Sequence, residues 1–331
     1  MNAIEIRNLK SYYVVGTVKE VKEVQAVDDV TLGIRKDEIF GIAGESGCGK
    51  TTLIKTLTGL ITAPLTVRGG DVTYNFQSGP VNMLSIDSDR YRRKVRGAKI
   101  SYVPQGSMSV LNPVRRIERS FDDFIMAHRD LSRSECHEMA ATHLSHLGLS
   151  PSILRAYPHQ LSGGMQQRVT IALATILEPE VVLADEPSTA LDVVMQRSVI
   201  QLLKRIKRDQ QNTFIMITHD LAIHANFCDR VAIMYAGHIV EVAPVRSIFK
   251  ANKHPYTQFL IGSLPRIGDK GERTSAPGAP PSLLNPPKGC RFHPRCPKAM
   301  DVCRAKRPRL VTVDDDHQVA CFLHSEESYD E

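Results

Sequence analysis

Four groups of residues in this 331-residue sequence have types and spacings suited to chemistry. The first is GESGCGKTT, Gly44–Thr52. It fits G-x-x-x-x-G-K-[ST], in which glycines free the backbone to point its amide hydrogens at phosphate oxygens. Lys50 is then placed to reach the β- and γ-phosphates of a nucleoside triphosphate, and the Thr51 hydroxyl to ligate Mg²⁺. Gly44, Glu45, Ser46, Gly47, Cys48, Gly49, Lys50, Thr51 and Thr52 are therefore the expected nucleotide-binding loop. A chance glycine-rich turn is the plainer alternative, opposed by the apolar strand before it and the helical pattern after it. Cys48 reads as a small filler rather than a reactive thiol, although a helix start would favour thiolate.

The second group is VVLADEPSTALD, where an apolar strand, Val181–Ala184, ends in Asp185 and Glu186. A carboxylate at the end of a central strand can hold Mg²⁺ through water, which suits Asp185, and Glu186 is then placed to orient or deprotonate an attacking water. The third group, LSGGMQQR, offers the Ser162 hydroxyl and two glycines, Gly163 and Gly164, whose backbone can approach a phosphate closely. Ser162 also reads as a helix N-cap, and the two roles are compatible. The fourth is a set of cysteines, Cys290, Cys296, Cys303 and Cys321, spaced C-x5-C-x6-C-x17-C within the last 42 residues, whereas Cys48, Cys136 and Cys228 are scattered. With no signal segment after Met1, the chain is expected in the cytoplasm, where clustered cysteines suggest metal before disulfide. Four thiolates satisfy either tetrahedral Zn²⁺ or a [4Fe–4S] cluster. The tail has none of the close cysteine pairs usual in structural zinc sites, and its wider spacing suits a cluster.

Taken together, these motifs resemble the ATP-binding subunit of an ABC transporter, over residues 3–250 and in the family's order. That resemblance implies ATP as substrate and a site completed by the opposite subunit, with Ser162, Gly163 and Gly164 contacting the γ-phosphate of the nucleotide held there. It also implies further roles at matching positions. Tyr13 lies where the family has an aromatic that stacks on adenine, with Tyr12 as the alternative. Gln105, in SYVPQGS, matches the glutamine that touches Mg²⁺ and water and follows contact with membrane subunits. Asp192 matches the loop that crosses to the partner, and His219, in MITHD, the histidine on the γ-phosphate. YPHQLSGGMQQR and HPYTQ resemble the oligopeptide/dipeptide (and nickel) importer branch, as does the tail GCRFHPRCPKAMDVC. Some members of that branch carry a [4Fe–4S] cluster in the tail, which puts the cluster ahead of Zn²⁺ here. His293, His317 and His324 are alternative ligands, each better read as surface or structural. Lys288, Arg291, Arg295, Lys298, Arg304, Lys306 and Arg307 surround the cysteines, and for most a solvated basic face is the expectation. The branch implies a second, non-identical ATPase subunit, two transmembrane permease subunits, an external solute-binding protein acting indirectly, and a place on the cytoplasmic face of the membrane. The solute is expected to be a di- or oligopeptide, with oligosaccharide or nickel as alternatives.

Alternating strand and helix patterns must position these groups. Ala3–Val15 and Val24–Ile34 alternate in polarity, with TVKEVKEV between them expected as a hairpin or loop insertion. Ile39–Ala43, Lys99–Val103, Val181–Ala184 and Thr213–Ile217 read as buried strands. Thr51–Thr58, Ser132–Leu149 and Val193–Gln210 read as helices. Arg230–Tyr235 and His238–Ala243 form a terminal strand pair turning at Ala236–Gly237. The expected fold is α/β: a P-loop NTPase (RecA-like) core with an antiparallel β subdomain, a helical insert at about 91–174 and a small Cys-rich C-terminal extension. Domain boundaries are expected at 1–250 and 251–331, with the proline-rich Ala276–Gly289 as linker. At 42% hydrophobic and 24% charged residues the composition is that of a globular protein, and a net charge of +6 is mild. The absence of a basic stripe interleaved with aromatics argues against nucleic acid as a partner. A soluble ABC ATPase outside any transporter is the main rival reading. A non-catalytic regulatory module is opposed by intact Glu186 and His219, and a GTPase or kinase by LSGGMQQR.

Overall fold

The computed structural model describes residues 1–17, 20–106, 110–189, 191–264 and 276–324. Its strands in the first part of the chain are β1 (Asn2–Thr17), β2 (Glu20–Arg35), β3 (Ile39–Ala43), β4 (Leu65–Phe76), β5 (Gly79–Asn82) and β6 (Ile100–Val103). Later come β7 (Val181–Asp185), β8 (Thr213–Ile217), β9 (Arg230–Tyr235), β10 (His238–Pro244), β11 (Val311–Asp314) and β12 (His317–Val319). The chain divides into two compact units, one made of Met1–Ala3, Arg35–Glu38 and Tyr74–Met216, the other of Ile4–Ile34, Ile39–Thr73 and the residues from Ile217 on.

The second of these units carries the glycine-rich loop. Its strands β11, β12, β10, β9 and β3 are successive neighbours. β3 runs parallel to β9, with Phe40 opposite Arg230 and Ala43 opposite Ile233. Every residue of both strands is buried, as expected of apolar runs in a sheet covered on both faces. β9 and β10 pair antiparallel about Ala236 and Gly237, both with positive φ. A further sheet in this unit has β1 between β2 and β4. β1 and β2 are longer than the sequence patterning suggests. Where a hairpin or loop insertion is expected, strand resumes at Glu20 and β2 lies beside β1 in the sheet. Residues 18 and 19 of that insertion lie outside the described residues.

The tail is not held apart by the prolines of Ala276–Gly289. β12 pairs antiparallel with β10, Glu241 opposite Val319 and Val242 opposite Gln318. Phe292, 1% exposed, packs edge-on against Tyr235 with ring centroids 5.1 Å apart, and 5.4 Å from Tyr256. A buried aromatic of this size contributes about 1.5–3 kcal/mol of burial free energy, enough to fix the tail on this sheet.

The other unit carries the acidic strand end. β8, β7 and β6 are neighbours, with β6 parallel to β7, and β7 is buried throughout. Its helices include Ile117–Met126, Arg133–His146, Gly163–Thr175 and Val193–Gln210. The expected helix from Ser132 is shorter at its C-terminal end, and Ser132 is its N-cap. There a reciprocal box forms: the Glu135 amide donates to Ser132 Oγ at 3.4 Å, and the Ser132 amide to Glu135 Oε2 at 2.8 Å.

Candidate functional site

The phosphate-loop sequence joins β3 to the helix Lys50–Leu57. Gly44 (φ 152°) and Gly49 (φ 109°) adopt backbone that side chains rarely take, and they also lie too close to neighbours for one. A Cβ on Gly44 would stand 2.1 Å from the Met234 carbonyl oxygen, and one on Gly49 1.9 Å from that of Ala26. No side chain caps the helix at Gly49, which leaves its first amides for an anion. Lys50, 8% exposed, donates from Nζ to the carbonyls of Gly44 (2.8 Å) and Glu45 (2.9 Å). Cys48 is buried, and burial pushes its thiol up, so it acts as the small filler expected. Ser46 and Gly47 are exposed. Thr52 Oγ1 donates to the Tyr13 hydroxyl at 3.3 Å, whereas the Tyr12 hydroxyl donates to Asp28 Oδ1 at 2.5 Å. Tyr13 is thus the aromatic beside the loop, and Tyr12 is committed elsewhere.

Two arginines of the tail depart from the expected solvated face. Arg295 is 7% exposed and grips the Glu45 carboxylate with both terminal nitrogens, at 2.8 and 3.1 Å. The Glu45 amide donates to the Tyr256 hydroxyl at 2.9 Å. Arg291 is 5% exposed and pairs with Asp28 at 2.7 Å, while Arg307 reaches Asp29 at 3.1 Å. Lys298 and Arg304 are exposed, as expected. Nothing local in the sequence signals a partner for Arg295 some 250 positions away. In HPYTQ, His254 caps the helix Pro255–Gly262 by accepting from the Tyr256 amide, and that helix carries the loop-facing hydroxyl.

In the other unit, Asp185 ends β7 at 1% exposure. Tyr102 on β6 hydrogen-bonds to it, and burial together with the charge of Asp185 pushes that phenol up. Glu186 takes positive φ (50°) and receives two hydrogen bonds on Oε2, from Gln105 Nε2 at 3.0 Å and Thr189 Oγ1 at 2.8 Å. The sequence reading brought out Gln105 and Glu186 but passed over Thr189. Ser162 is exposed and caps the helix Gly163–Thr175, accepting from the Met165 amide at 3.3 Å. Gly164 is buried, and a Cβ there would meet Met195 Cε at 2.0 Å. Asp192 is exposed and caps the helix Val193–Gln210 through the Met195 amide at 2.9 Å. His219, which belongs to the loop-bearing unit, is exposed in the bend after β8.

Cys290, Cys296, Cys303 and Cys321 line one cavity of about 10 Å³, together with His254 and His293. All four are free thiols. Burial pushes Cys290 up to about 12 and Cys321 up to about 11. Among the described residues no three His, Cys, Asp or Glu side chains are placed to hold a metal ion. His317 is not part of this group; its Nε2 meets the buried Glu241 carboxylate at 2.7 Å.

A glycine-rich loop with its lysine, an acidic strand end and a capped LSGG helix define an ATPase of the ABC class. The family model for ABC transporters matches residues 27–189, and that for the oligopeptide/dipeptide transporter C-terminal region matches residues 240–303. The chain is 40% identical over 328 residues to the dipeptide transport ATP-binding protein DppD of Caldanaerobacter subterraneus, covering 98% of this chain and 97% of that one. It is 38% identical over 308 residues to the oligopeptide transport ATP-binding protein OppD of Escherichia coli, covering 92% and 89%. The solved ATP-binding cassette MJ0796, a dimer in a post-hydrolysis state with ADP and Pi, superposes with a TM-score of 0.61 at 26% identity, covering 73% of this chain and 99% of that one. The chain therefore belongs to the ABC transporter ATP-binding subunits of the oligopeptide/dipeptide branch, and it is an ABC-type ATPase.

Proposed function

We propose that this chain hydrolyses ATP to power uptake of di- or oligopeptides through an ABC importer. The observation that carries this reading is the match along nearly the whole chain, tail included, to ATP-binding proteins named for dipeptide and oligopeptide transport. In this reading Lys50, Thr51 and the loop amides of Gly44–Thr52 bind the phosphates of ATP, and Tyr13 stacks on adenine. Mg²⁺, when bound, neutralises phosphate charge, and Thr51, Gln105 and Asp185 would hold it; a carboxylate, a hydroxyl and a side-chain amide are hard oxygen donors of the kind that suit that ion. Glu186 accepts the proton of the attacking water, and Gln105 and Thr189 orient its carboxylate by donating to Oε2. His219 steadies the γ-phosphate. Ser162, Gly163, Gly164 and Asp192 serve the nucleotide of a second ATPase subunit, which in this branch is not identical to the first. The exposed Val193 and Val194, 80% and 76% accessible beside Asp192, support a partner surface there.

No helix among the described residues is long and apolar enough to cross a membrane. In the importer reading the chain works as a peripheral subunit on the cytoplasmic face, bound to two permease subunits that receive solute from an external binding protein. The exposed Val110 and Val114, shortly after Gln105, support a docking face there. We assign residues 91–174 to a helical subdomain and 251–331 to the branch's C-terminal extension. In that extension Cys290, Cys296, Cys303 and Cys321 would ligate a [4Fe–4S] cluster, or Zn²⁺ in its place. Their convergence on one cavity supports the assignment, since four soft donors from a single tail are then neighbours. As placed, the thiols close on a space too small for a cluster, so they must turn outward and lose their protons to take one. Iron or zinc in the purified protein by elemental analysis decides between the two.

The test of the importer reading is purification of the chain from its native membranes. Co-purification with two membrane subunits, and ATP-dependent accumulation of labelled dipeptide by the reconstituted complex, is the expected result. A stable soluble complex lacking membrane subunits would overturn it.

A further inference from the structure

We propose that Arg295, in the C-terminal tail, is a positioning residue for the phosphate loop of its own subunit. Glu45 is the loop residue that Arg295 holds. Its carboxylate is held by both terminal nitrogens of Arg295, at 2.8 and 3.1 Å, and its amide donates to the Tyr256 hydroxyl at 2.9 Å. Its carbonyl, in turn, receives the Lys50 ammonium at 2.9 Å. One residue of the loop thus joins the phosphate-binding lysine to a buried arginine of the tail. A two-pronged, charge-assisted grip fixes direction as well as distance, which a single lysine could not do.

Arg295 is itself fixed. Its Nε donates to the Pro277 carbonyl at 2.8 Å and Nη2 to that of Ala276 at 3.2 Å, so the proline-rich segment closes over the guanidinium. A second tail arginine supports the same loop by another route. Arg291 donates to the Ala236 carbonyl in the β9–β10 turn, and the next residue of that turn, Gly237, donates its amide to the Cys48 carbonyl at 2.8 Å. The loop is therefore held at Glu45 and at Cys48, on both sides of exposed Ser46 and Gly47, by contacts that begin in the tail. Exposed loops lacking such ties sample many conformations, and phosphate binding then has to order them.

The inference rests on the nucleotide reading of Gly44–Thr52, which is tested separately by Lys50→Ala. The experiment titrates the purified full-length chain with a fluorescent ATP analogue and measures ATP turnover in the assembled complex. Arg295→Ala is expected to weaken nucleotide binding and raise KM for ATP about tenfold, with a smaller change in kcat. Arg295→Lys should fall between Arg295→Ala and the parent. The pair Arg295→Glu with Glu45→Arg should recover part of the loss seen in Arg295→Glu alone, an outcome a merely structural role would not give. Arg304→Ala, at an exposed tail position, should bind as the parent does. Should Arg295→Ala fail to fold, Tyr256→Phe removes only the hydroxyl on Glu45 and is expected to raise KM in the same direction. Parent-like KM in a folded Arg295→Ala, or in folded Tyr256→Phe where the former is unusable, overturns the proposal. Loss of binding in Lys50→Ala alongside it would show that the nucleotide reading survives; retained binding in Lys50→Ala would remove that reading as well.

Discussion

Glu186 accepts two hydrogen bonds on the same oxygen, one from Gln105 and one from Thr189. These two donors hold the carboxylate in one orientation in the mechanism proposed above. Thr189→Val keeps the shape of the side chain and removes the donor. It is expected to lower kcat on the order of tenfold while leaving KM for ATP unchanged, since a hydrogen bond to a charged group contributes about 1.5–3 kcal/mol. Steady-state ATP turnover of the assembled complex checks this. Lys50, Thr51, Asp185 and Glu186 were visible as candidates in the sequence because the chemistry expected of them is written in short, local spacings. Thr189 was not, because its bond to Glu186 depends on the positive φ of Glu186 and the turn that follows. Arg295 was hidden for a different reason: a basic residue beside cysteines looks the same in sequence whether it is solvated or seated on a loop some 250 positions earlier.

At the level of elements, two serines occupy equivalent places, Ser132 before Arg133–His146 and Ser162 before Gly163–Thr175. Each accepts a backbone amide of its first turn, so each caps its helix. Replacing either by alanine should cost about 1 kcal/mol of stability, read from urea unfolding. Only Ser162→Ala should also reduce ATP turnover, because only Ser162 is assigned a phosphate contact across the dimer. Equal turnover in the two variants would show that Ser162 is a cap and nothing more. The strands β3, β8 and β9 were legible to the residue, since each is a short apolar run with no polar interruption. The long β1–β2 ribbon was underestimated where Glu20, Lys22 and Glu23 resemble loop composition, because Val21 and Val24 stand three apart and no period of two marks the strand there.

For the molecule as a whole, the tail changes most between sequence and structure. Its prolines suggest a spacer, yet β12 pairs with β10 and Phe292 is buried against Tyr235 and Tyr256. Pairings over such sequence distances leave no local trace, which is why the spacing of four cysteines could suggest a metal but not the arginines that reach the phosphate loop. In the function proposed above, this chain turns over ATP through Glu186 when paired with a partner subunit. The measurement that bears on it most directly is phosphate release by the assembled complex carrying Glu186→Gln. ATP is expected to remain bound while phosphate release falls about a hundredfold. Phosphate release at the parent rate would contradict it.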